Sequence, residues 1–219
     1  MSFKQDLFTQ FSRIGKALSN ANRLQILDYL AQAERSVDEL SSLSELSVAN
    51  TSQHLQQLRQ AGLVQSHKRG LKVYYRIASD EVVELLRMLR VVSERHLADV
   101  NLIADSYLGD KDQNPPLPQE ELFRQVEQGE VTVIDVRPAA EFASGHLPGA
   151  INVPPDQLRE RLKQIDPQRQ VVAYCRGPYC VYSFDAVEEL RKMGFTASRL
   201  EEGFPEWKSA GYPVESSDD

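Results

Sequence analysis

The segment that most constrains the fold of this chain is residues 110–118, which read Asp-Lys-Asp-Gln-Asn-Pro-Pro-Leu-Pro. This run is polar, rich in proline and without apolar periodicity, which is typical of a linker between domains. It divides a chain of 219 residues, long for one domain and comfortable for two, into residues 1–109 and 119–219. The charge changes at the same place: residues 1–109 carry 13 Lys and Arg against 12 Asp and Glu, whereas residues 110–219 carry 12 against 20. We therefore predict two domains joined by the linker 110–118.

The first domain shows the order of elements of a winged helix-turn-helix. Apolar periodicity and capping residues predict helices over Phe3–Leu18, around Leu24–Leu30, over Val37–Leu43, over Val48–Ala61 and, after a ribbon, over Glu81–Tyr107. Ser36 and Glu39 have the spacing of a capping box at the start of the short third helix. The ribbon consists of alternating runs at Leu63–His67 and Val73–Ile77, with Lys68–Arg69–Gly70 as its tip. This succession predicts a mostly helical domain with a wing.

A basic window indicates the partner of this domain. Residues 46–79 include three arginines and two lysines but no acidic residue, although the whole chain has a formal charge of −7. Such a window in an acidic protein predicts a local site for a polyanion, and a winged helix favours double-stranded DNA. The candidate DNA-binding residues lie in the recognition helix and the wing: Thr51, Ser52, Gln53, His54, Arg59, Lys68, Arg69 and Lys72.

Three stretches of this half are similar to the ArsR family of bacterial repressors: Ala17–Leu27, Ser52–Leu58 with Ala61–Val64, and the wing Lys68–Arg76. The resemblance implies a homodimer that pairs through its first and last helices and binds a palindromic operator, and it favours repression. Many members release DNA when a metal or arsenite binds. Here the region of their metal-binding cysteines, Glu45–Val48, has no cysteine, and the last helix offers only His96 as an imidazole ligand. The resemblance therefore leaves this half without a sensing site, and we predict no bound metal or cofactor.

The second domain contains both cysteines of the protein in one short loop. Val171–Tyr174 predicts a buried strand, and apolar spacing predicts a helix over Cys180–Met193. Cys175 therefore lies between a strand end and a helix N-terminus, where backbone N–H groups and the helix dipole favour a thiolate. The alternative is that Cys175 is a small buried hydrophobic residue, but its position and the neighbouring Arg176 favour a reactive thiol. For Cys180, a resolving thiol and a packed helix residue both remain open. Two cysteines are too few for a structural zinc site.

Three motifs of the second domain resemble the rhodanese family. They are Asp135–Pro154, the cysteine loop itself, and Leu200–Trp207 with Gly211–Val214. The resemblance implies an α/β domain with a parallel sheet, in which Cys175 carries a sulfane sulfur as a persulfide. The remaining loop residues would form an anion-binding cradle around it: Arg176, Gly177, Pro178, Tyr179 and Cys180.

The loop and the second motif depart from the family pattern in three places. Pro178 removes one backbone donor, and Cys180 stands where an Arg, Ser or Thr is commoner. The family's usual Leu-Glu-Gly-Gly reads Leu-Glu-Glu-Gly at residues 200–203. Val181 replaces the arginine that a C-x5-R phosphatase or arsenate reductase needs, which excludes that chemistry.

Four polar residues near the first motif suggest catalysis, but structural ion pairs and hydrogen bonds explain them better: Asp135, Arg137, Glu141 and His146. We therefore expect a DNA-binding regulator, a repressor by resemblance, in which a Cys175 persulfide senses or transfers sulfane sulfur. Its partners would be operator DNA, a second copy, and a thiosulfate, polysulfide or persulfide donor. The alternatives are a sulfurtransferase that regulates its own gene, and an inert rhodanese scaffold for a partner. Because no apolar run is long enough for a membrane span and the cysteines are few, we expect a cytoplasmic protein with no membrane partner.

Overall fold

The structure, a computed structural model, describes residues 2–109, 111, 114–161 and 165–217, except for the side chain of Arg159. Its internal contacts define two compact units, Met1–Leu86 and Arg87–Asp219. The division falls inside one helix, so the linker 110–118 remains a prediction, and its residues Asp110, Asp112 and Gln113 lie outside the described residues. No helix in the described part of the chain is long and apolar enough to cross a membrane.

The first unit has the elements of a winged helix-turn-helix. They are α1 (Phe3–Leu18), α2 (Ala21–Gln32), β1 (Arg35–Ser36), α3 (Val37–Ser44), α4 (Val48–Gln60), β2 (Val64–Arg69), β3 (Lys72–Ile77) and the start of α5 (Asp80–His96). The predicted capping box is present at the start of α3, where Ser36 and Glu39 cap each other. Gly62 follows α4 with a φ of 78°, a conformation that glycine adopts without steric cost. The mostly helical winged domain predicted from the sequence is confirmed.

The wing differs from its prediction in two details. Arg69 pairs with Lys72, so the turn is formed by Gly70 and Leu71, and Lys68 and Arg69 belong to the strand rather than to the tip. A third strand, β1, pairs antiparallel with β3 and gives the sheet order β1-β3-β2. The sequence did not predict β1, because two residues are too few to show an alternating pattern.

The long helix predicted over Glu81–Tyr107 is wrong in one respect: it is two helices, α5 and α6 (Ala98–Leu108), separated at Leu97. The backbone of Leu97 is extended, and the side-chain amide of Asn101 donates to the carbonyl of Glu94, which stabilises the open C-terminal end of α5. No Gly or Pro marks this break in the sequence.

The second unit contains an α/β domain, as predicted. After α6 its elements are α7 (Gln119–Glu127), β4 (Val131–Asp135), α8 (Ala139–Ser144), β5 (Ile151–Asn152), a 3-10 turn (Pro155–Gln157), α9 (Leu158–Arg161), β6 (Gln170–Tyr174), α10 (Val181–Lys192), β7 (Ala197–Arg199) and α11 (Phe204–Ser209). The four strands are parallel, in the order β5-β4-β6-β7.

Strand β6 positions the cysteine loop because its side chains alternate between two apolar cores. Val172 and Tyr174 face a cluster around Leu122 and Trp207. Val171, Ala173 and Cys175 face the cluster that α10 covers. Cys175, the first residue after the strand, therefore begins the loop on the side of α10.

Candidate cysteine loop and DNA-binding surface

The cysteine loop runs from the end of β6 to the start of α10 and folds back on itself. The two Cα atoms of Cys175 and Cys180 lie 6.1 Å apart, and the structure records a disulfide between them. Cys175 is only 2% exposed, whereas Cys180 is half-buried and is the N-cap residue of α10. The disulfide therefore places the sulfur of Cys175 at the N-terminal end of a twelve-residue helix.

Two residues of the expected cradle, Pro178 and Cys180, offer no free backbone N–H to an anion. Pro178 has no N–H, and the N–H of Cys180 donates to the carbonyl of Gly177 at 3.2 Å, which closes the turn. The carbonyl of Cys180 in turn accepts hydrogen bonds from the N–H and the hydroxyl of Ser183 in α10. The loop is thus held partly by its own hydrogen bonds.

The start of α11 packs against the backbone of the loop and hydrogen-bonds to it. The N–H of Phe204 donates to the carbonyl of Cys175 at 3.1 Å. A Cβ on Gly203 would lie 2.3 Å from the carbonyl oxygen of Arg176, so only glycine fits there. This close approach explains why the second rhodanese-like motif retains its last glycine.

The polar residues of the first motif hold the fold, and one of them also holds the loop. Asp135 and Arg137 form a fully buried pair, and the hydroxyl of Tyr174 donates to Asp135 at 2.5 Å. Burial and the charge of Asp135 raise the pKa of Tyr174 well above its ordinary value, so this phenol remains a donor. Arg137 also lies over the ring of Phe204, with 4.1 Å from its guanidinium carbon to the ring centroid.

Glu141 and His146 are the other two polar residues near the first motif. The carboxylate of Glu141 accepts two hydrogen bonds from the guanidinium of Arg176, at 3.0 and 2.6 Å, and therefore fixes the first loop residue after Cys175. The ring of His146 stacks on Phe142, and its Nδ1 lies 2.9 Å from the carbonyl of that residue.

Helix α5 contacts the loop and α11 within the second unit, and the sequence did not predict these contacts. The hydroxyl of Tyr179 donates to the carboxylate of Glu94 at 2.6 Å, and Arg90 forms ion pairs with Glu202 and Glu206, the latter at 3.1 Å. Burial, the hydrogen bond to Glu94 and the charge of Glu94 raise the pKa of Tyr179 to about 12. One signal was present: Glu202 is the residue by which Leu-Glu-Glu-Gly departs from the rhodanese pattern.

An open apolar cavity of about 360 Å³ adjoins the loop. Its lining comes from α6 and from the residues on either side of Cys180: Val100, Ile103, Ala104, Tyr107, Leu108, Tyr179 and Val181.

The recognition helix α4 presents some of its predicted residues and buries others. Ser52 and Gln53 are exposed. Thr51 is fully buried, and its hydroxyl donates to the carbonyl of Ser47, so its proposed part in DNA contact is wrong: it packs inside the unit. His54 is half-buried, and its Nδ1 has no hydrogen-bond partner among the described residues. Burial and, second, the charge of Arg23 lower the pKa of His54, which favours the neutral ring.

The wing presents Lys68 and Lys72 in exposed positions, whereas Arg69 has an acidic neighbour. The guanidinium of Arg69 lies 3.3 Å from the carboxylate of Glu34, which belongs to the segment before β1. The sequence window 46–79 contains no acidic residue, because Glu34 lies outside it in the chain and reaches the wing only through the pairing of β1 with β3. Arg59 is also exposed, with 3.3 Å between its guanidinium and the hydroxyl of Ser66. Among the residues that the structure describes, no three His, Cys, Asp or Glu side chains are grouped to hold a metal ion.

A winged helix-turn-helix followed by a parallel α/β domain with a cysteine loop defines a transcription regulator that carries a rhodanese-like domain. Family models agree: the model for bacterial regulatory proteins of the arsR family matches residues 20–66, and the rhodanese-like domain model matches residues 118–210. The chain is 44% identical to the HTH-type transcriptional regulator Rv0324 of Mycobacterium tuberculosis over 97% of this chain and 93% of that protein. The protein therefore belongs to the ArsR-type transcriptional regulators with a rhodanese-like domain.

Other relatives match less than half of this chain. The transcriptional activator HlyU of Vibrio cholerae is 47% identical over 74 residues, which are 34% of this chain and 68% of that protein. The solution structure of the homodimeric winged helix-turn-helix domain of Mb0332 from Mycobacterium bovis is 40% identical, covers 45% of this chain and 92% of that chain, and has a TM-score of 0.43.

Proposed function

We propose that this regulator binds operator DNA as a homodimer and that sulfur chemistry at Cys175 sets its affinity for DNA. The observation that carries the proposal is the loop itself: the only two cysteines of the protein lie in it, with their Cα atoms 6.1 Å apart. This distance lies within the range of a protein disulfide, about 4.4–6.8 Å. The loop therefore suits a switch between free thiols, a persulfide and a bridge.

The position of Cys175 supports its role as the nucleophile. The dipole at the start of α10 would stabilise a thiolate there. The thiolate would attack the sulfane sulfur of a donor, form a Cys175 persulfide and release the rest of the donor. The Cys180 thiolate would then attack the Sγ of Cys175 and expel hydrosulfide, which leaves the bridge. In this scheme Cys180 is the resolving thiol.

The DNA-binding part of the proposal uses the exposed residues of the first unit. Ser52 and Gln53 would contact base edges, and Lys68 and Lys72 would contact phosphates. Three other residues would contribute at the edge of this surface: Arg59, which contacts Ser66, Arg69, which contacts Glu34, and the half-buried His54. We assign residues 1–109 to DNA binding and dimerisation, and residues 119–219 to the sulfur site.

Homodimer formation is supported by exposed apolar side chains on α1. Phe3 is 80%, Phe8 56% and Phe11 62% exposed, and Leu89 and Val92 add exposed apolar surface on α5. A second copy that covers these residues would bury them and place two recognition helices on one face of the DNA. Light scattering at micromolar concentration should give the mass of a dimer. A Phe8→Ser, Phe11→Ser variant should give a monomer with an unchanged circular dichroism spectrum, and a monomeric wild-type protein would contradict the proposal.

Helix α5 provides the coupling. Only two residues separate it from β3 of the wing, and its later residues Glu94 and Arg90 contact the loop and the start of α11. The hydrogen bond from Tyr179 to Glu94 is present together with the bridge. Opening the bridge, or adding a sulfur to Cys175, would displace Tyr179 and so alter this contact. A coupling free energy of about 1–3 kcal/mol is enough to change operator affinity severalfold to about a hundredfold.

The direction of regulation belongs to the proposal as well. Resemblance to bacterial repressors favours repression, whereas the relative HlyU is named an activator. Transcription in vitro from a promoter that carries the operator, with reduced and with polysulfide-treated protein, would decide the direction.

The central experiment compares operator binding by reduced and polysulfide-treated protein. The operator would be selected from a random duplex pool with full-length protein in both states, and mass spectrometry would identify the sulfur state of the loop. Cys175→Ser should bind equally in both conditions. Cys180→Ser is the matched control in the same loop, since it should form the persulfide but not the bridge.

Two outcomes would contradict the proposal. Equal operator binding by the wild-type protein before and after treatment, with persulfide formed and thiosulfate or polysulfide turned over, would favour the sulfurtransferase. Equal binding with no persulfide would favour an inert scaffold.

A further inference from the structure

The loop offers no unpaired cation for an anionic sulfur donor. Arg176, the cation nearest to Cys175 in the chain, is held by two hydrogen bonds from its guanidinium to Glu141. Arg90 is paired with Glu202 and Glu206. Because carboxylates already neutralise the charge of both guanidinium groups, neither arginine offers an unopposed positive charge to a dianion.

Carboxylates and an apolar side chain stand where an anion clamp would be needed. Glu94 contacts Tyr179 in the loop itself. The first residue of α10 is Val181, which is 39% exposed and carries no donor. Residues 110–219 as a whole carry 20 acidic against 12 basic side chains. A doubly charged donor would therefore approach Cys175 against like charge.

The surface next to Cys180 suits an apolar group instead. Tyr179 and Val181, the two neighbours of Cys180 in the chain, line the cavity of about 360 Å³ together with Ile103 and Tyr107 of α6. Its volume lies within the range of small-molecule sites, roughly 300–1,000 Å³. A donor that places its reactive sulfur at the loop can thus place an attached alkyl group against these side chains.

We infer that the loop takes its sulfur from organic hydropersulfides, R–S–SH with an apolar R group, in preference to thiosulfate. This inference rests on the proposed function and names its donor class. The Cys175 thiolate attacks the terminal sulfur, the S–S bond of the donor breaks, and the products are Cys175–S–SH and the thiolate R–S⁻. The donor carries at most one negative charge, and the released thiolate diffuses from the cavity; no further oxidant or reductant is required.

The test measures second-order rate constants for persulfide formation on full-length Cys180→Ser protein by mass spectrometry, without DNA. The donors are thiosulfate, hydroxyethyl hydropersulfide and hexyl hydropersulfide. Hexyl should react faster than hydroxyethyl, because the two donors differ only in what they place in the cavity. Ile103→Ser should reduce the advantage of hexyl by about tenfold, in line with the loss of one or two buried methylene contacts. Leu102→Ser, on the same helix but outside the cavity lining, should leave the advantage unchanged.

A gain-of-function variant tests the missing clamp. Val181→Arg places a cation at the start of α10 and should raise the thiosulfate rate constant by about tenfold. The inference is overturned if the Cys180→Ser protein, without the Val181 substitution, reacts with thiosulfate at least as fast as with hexyl hydropersulfide, or if hexyl and hydroxyethyl donors react equally. Persulfide formation from thiosulfate alone would overturn the donor class and leave the proposed function standing. If Cys175 takes sulfur from no donor, both fail.

Discussion

The hydrogen bond from Tyr179 to Glu94 gives the sharpest prediction. Tyr179→Phe removes only the hydroxyl that donates to the Glu94 carboxylate over 2.6 Å. A hydrogen bond to a charged group contributes about 1.5–3 kcal/mol when buried. Tyr179 is 42% exposed, so solvent screening reduces this to about 1 kcal/mol. If this bond couples the loop to α5, its loss should shrink the ratio of operator affinities in the two sulfur states by about fivefold.

The assay is fluorescence anisotropy of a labelled operator, titrated with reduced and with polysulfide-treated full-length protein. Tyr182→Phe is the matched control, because Tyr182 is 43% exposed and loses the same hydroxyl two residues beyond Cys180. Mass spectrometry should show equal persulfide formation in all three proteins. The reasoning is refuted if Tyr179→Phe retains the full affinity ratio of the wild type, since the coupling would then not depend on this bond.

The pH dependence of this bond provides a further check. The pKa of Tyr179 is raised to about 12 from an ordinary value of 10, because burial and Glu94 both disfavour the phenolate. A raised pKa means that the stabilisation is complete below pH about 10 and is lost as the pH rises through about 12. The affinity ratio should therefore show no Tyr179-dependent change between pH about 6 and 9.

Three further predictions concern DNA binding and stability. Glu34→Gln removes the carboxylate beside Arg69 of the wing, so it should strengthen binding to all duplexes alike. Anisotropy titrations should give a slope of log K against log salt that is steeper by about 1, and an unchanged slope would exclude Arg69 from the interface. Arg137→Ala leaves the buried carboxylate of Asp135 uncompensated and should cost about 3–5 kcal/mol in urea unfolding followed by the fluorescence of the single tryptophan, and a cost below about 1 kcal/mol would contradict this. Because the pKa of His54 is lowered in the folded protein, the unfolded chain binds more protons than the folded one as the pH falls through the ordinary value of 6.5. The melting temperature of the wild type should therefore fall between pH about 7 and 5 by more than that of His54→Gln, and equal decreases in the two proteins would contradict this.

The parts of the fold that depend on neighbouring residues could be predicted from the sequence. The capping box of Ser36 and Glu39, the stop at Gly62 and the limits of α1 follow from signals within a few residues. The buried strand β6 also follows from local signals, and Cys175 lies between this strand and a helix, as predicted.

The parts that depend on residues distant in the chain could not be predicted. Glu34 meets Arg69 only because β1 pairs with β3, and β1 is too short to detect. Thr51 is buried because its face of α4 packs inside the unit, and the helical pattern alone did not show which face of α4 would be buried. Glu94 meets Tyr179 across 85 residues, and the sequence held one hint of this contact region, the extra glutamate at position 202.

The short distance between the two cysteines has a consequence for the speed of the response. Since both thiols belong to one six-residue loop, with Cα atoms 6.1 Å apart, the bridge closes by a first-order step within a single chain. Groups tethered this closely act at effective concentrations of about millimolar or more. The half-time of closure then does not depend on how many copies of the protein a cell contains. A regulator present in a few copies would reach its modified state as quickly as an abundant one, and the ratio of sulfur donor to reducing thiols would decide how much of it remains there.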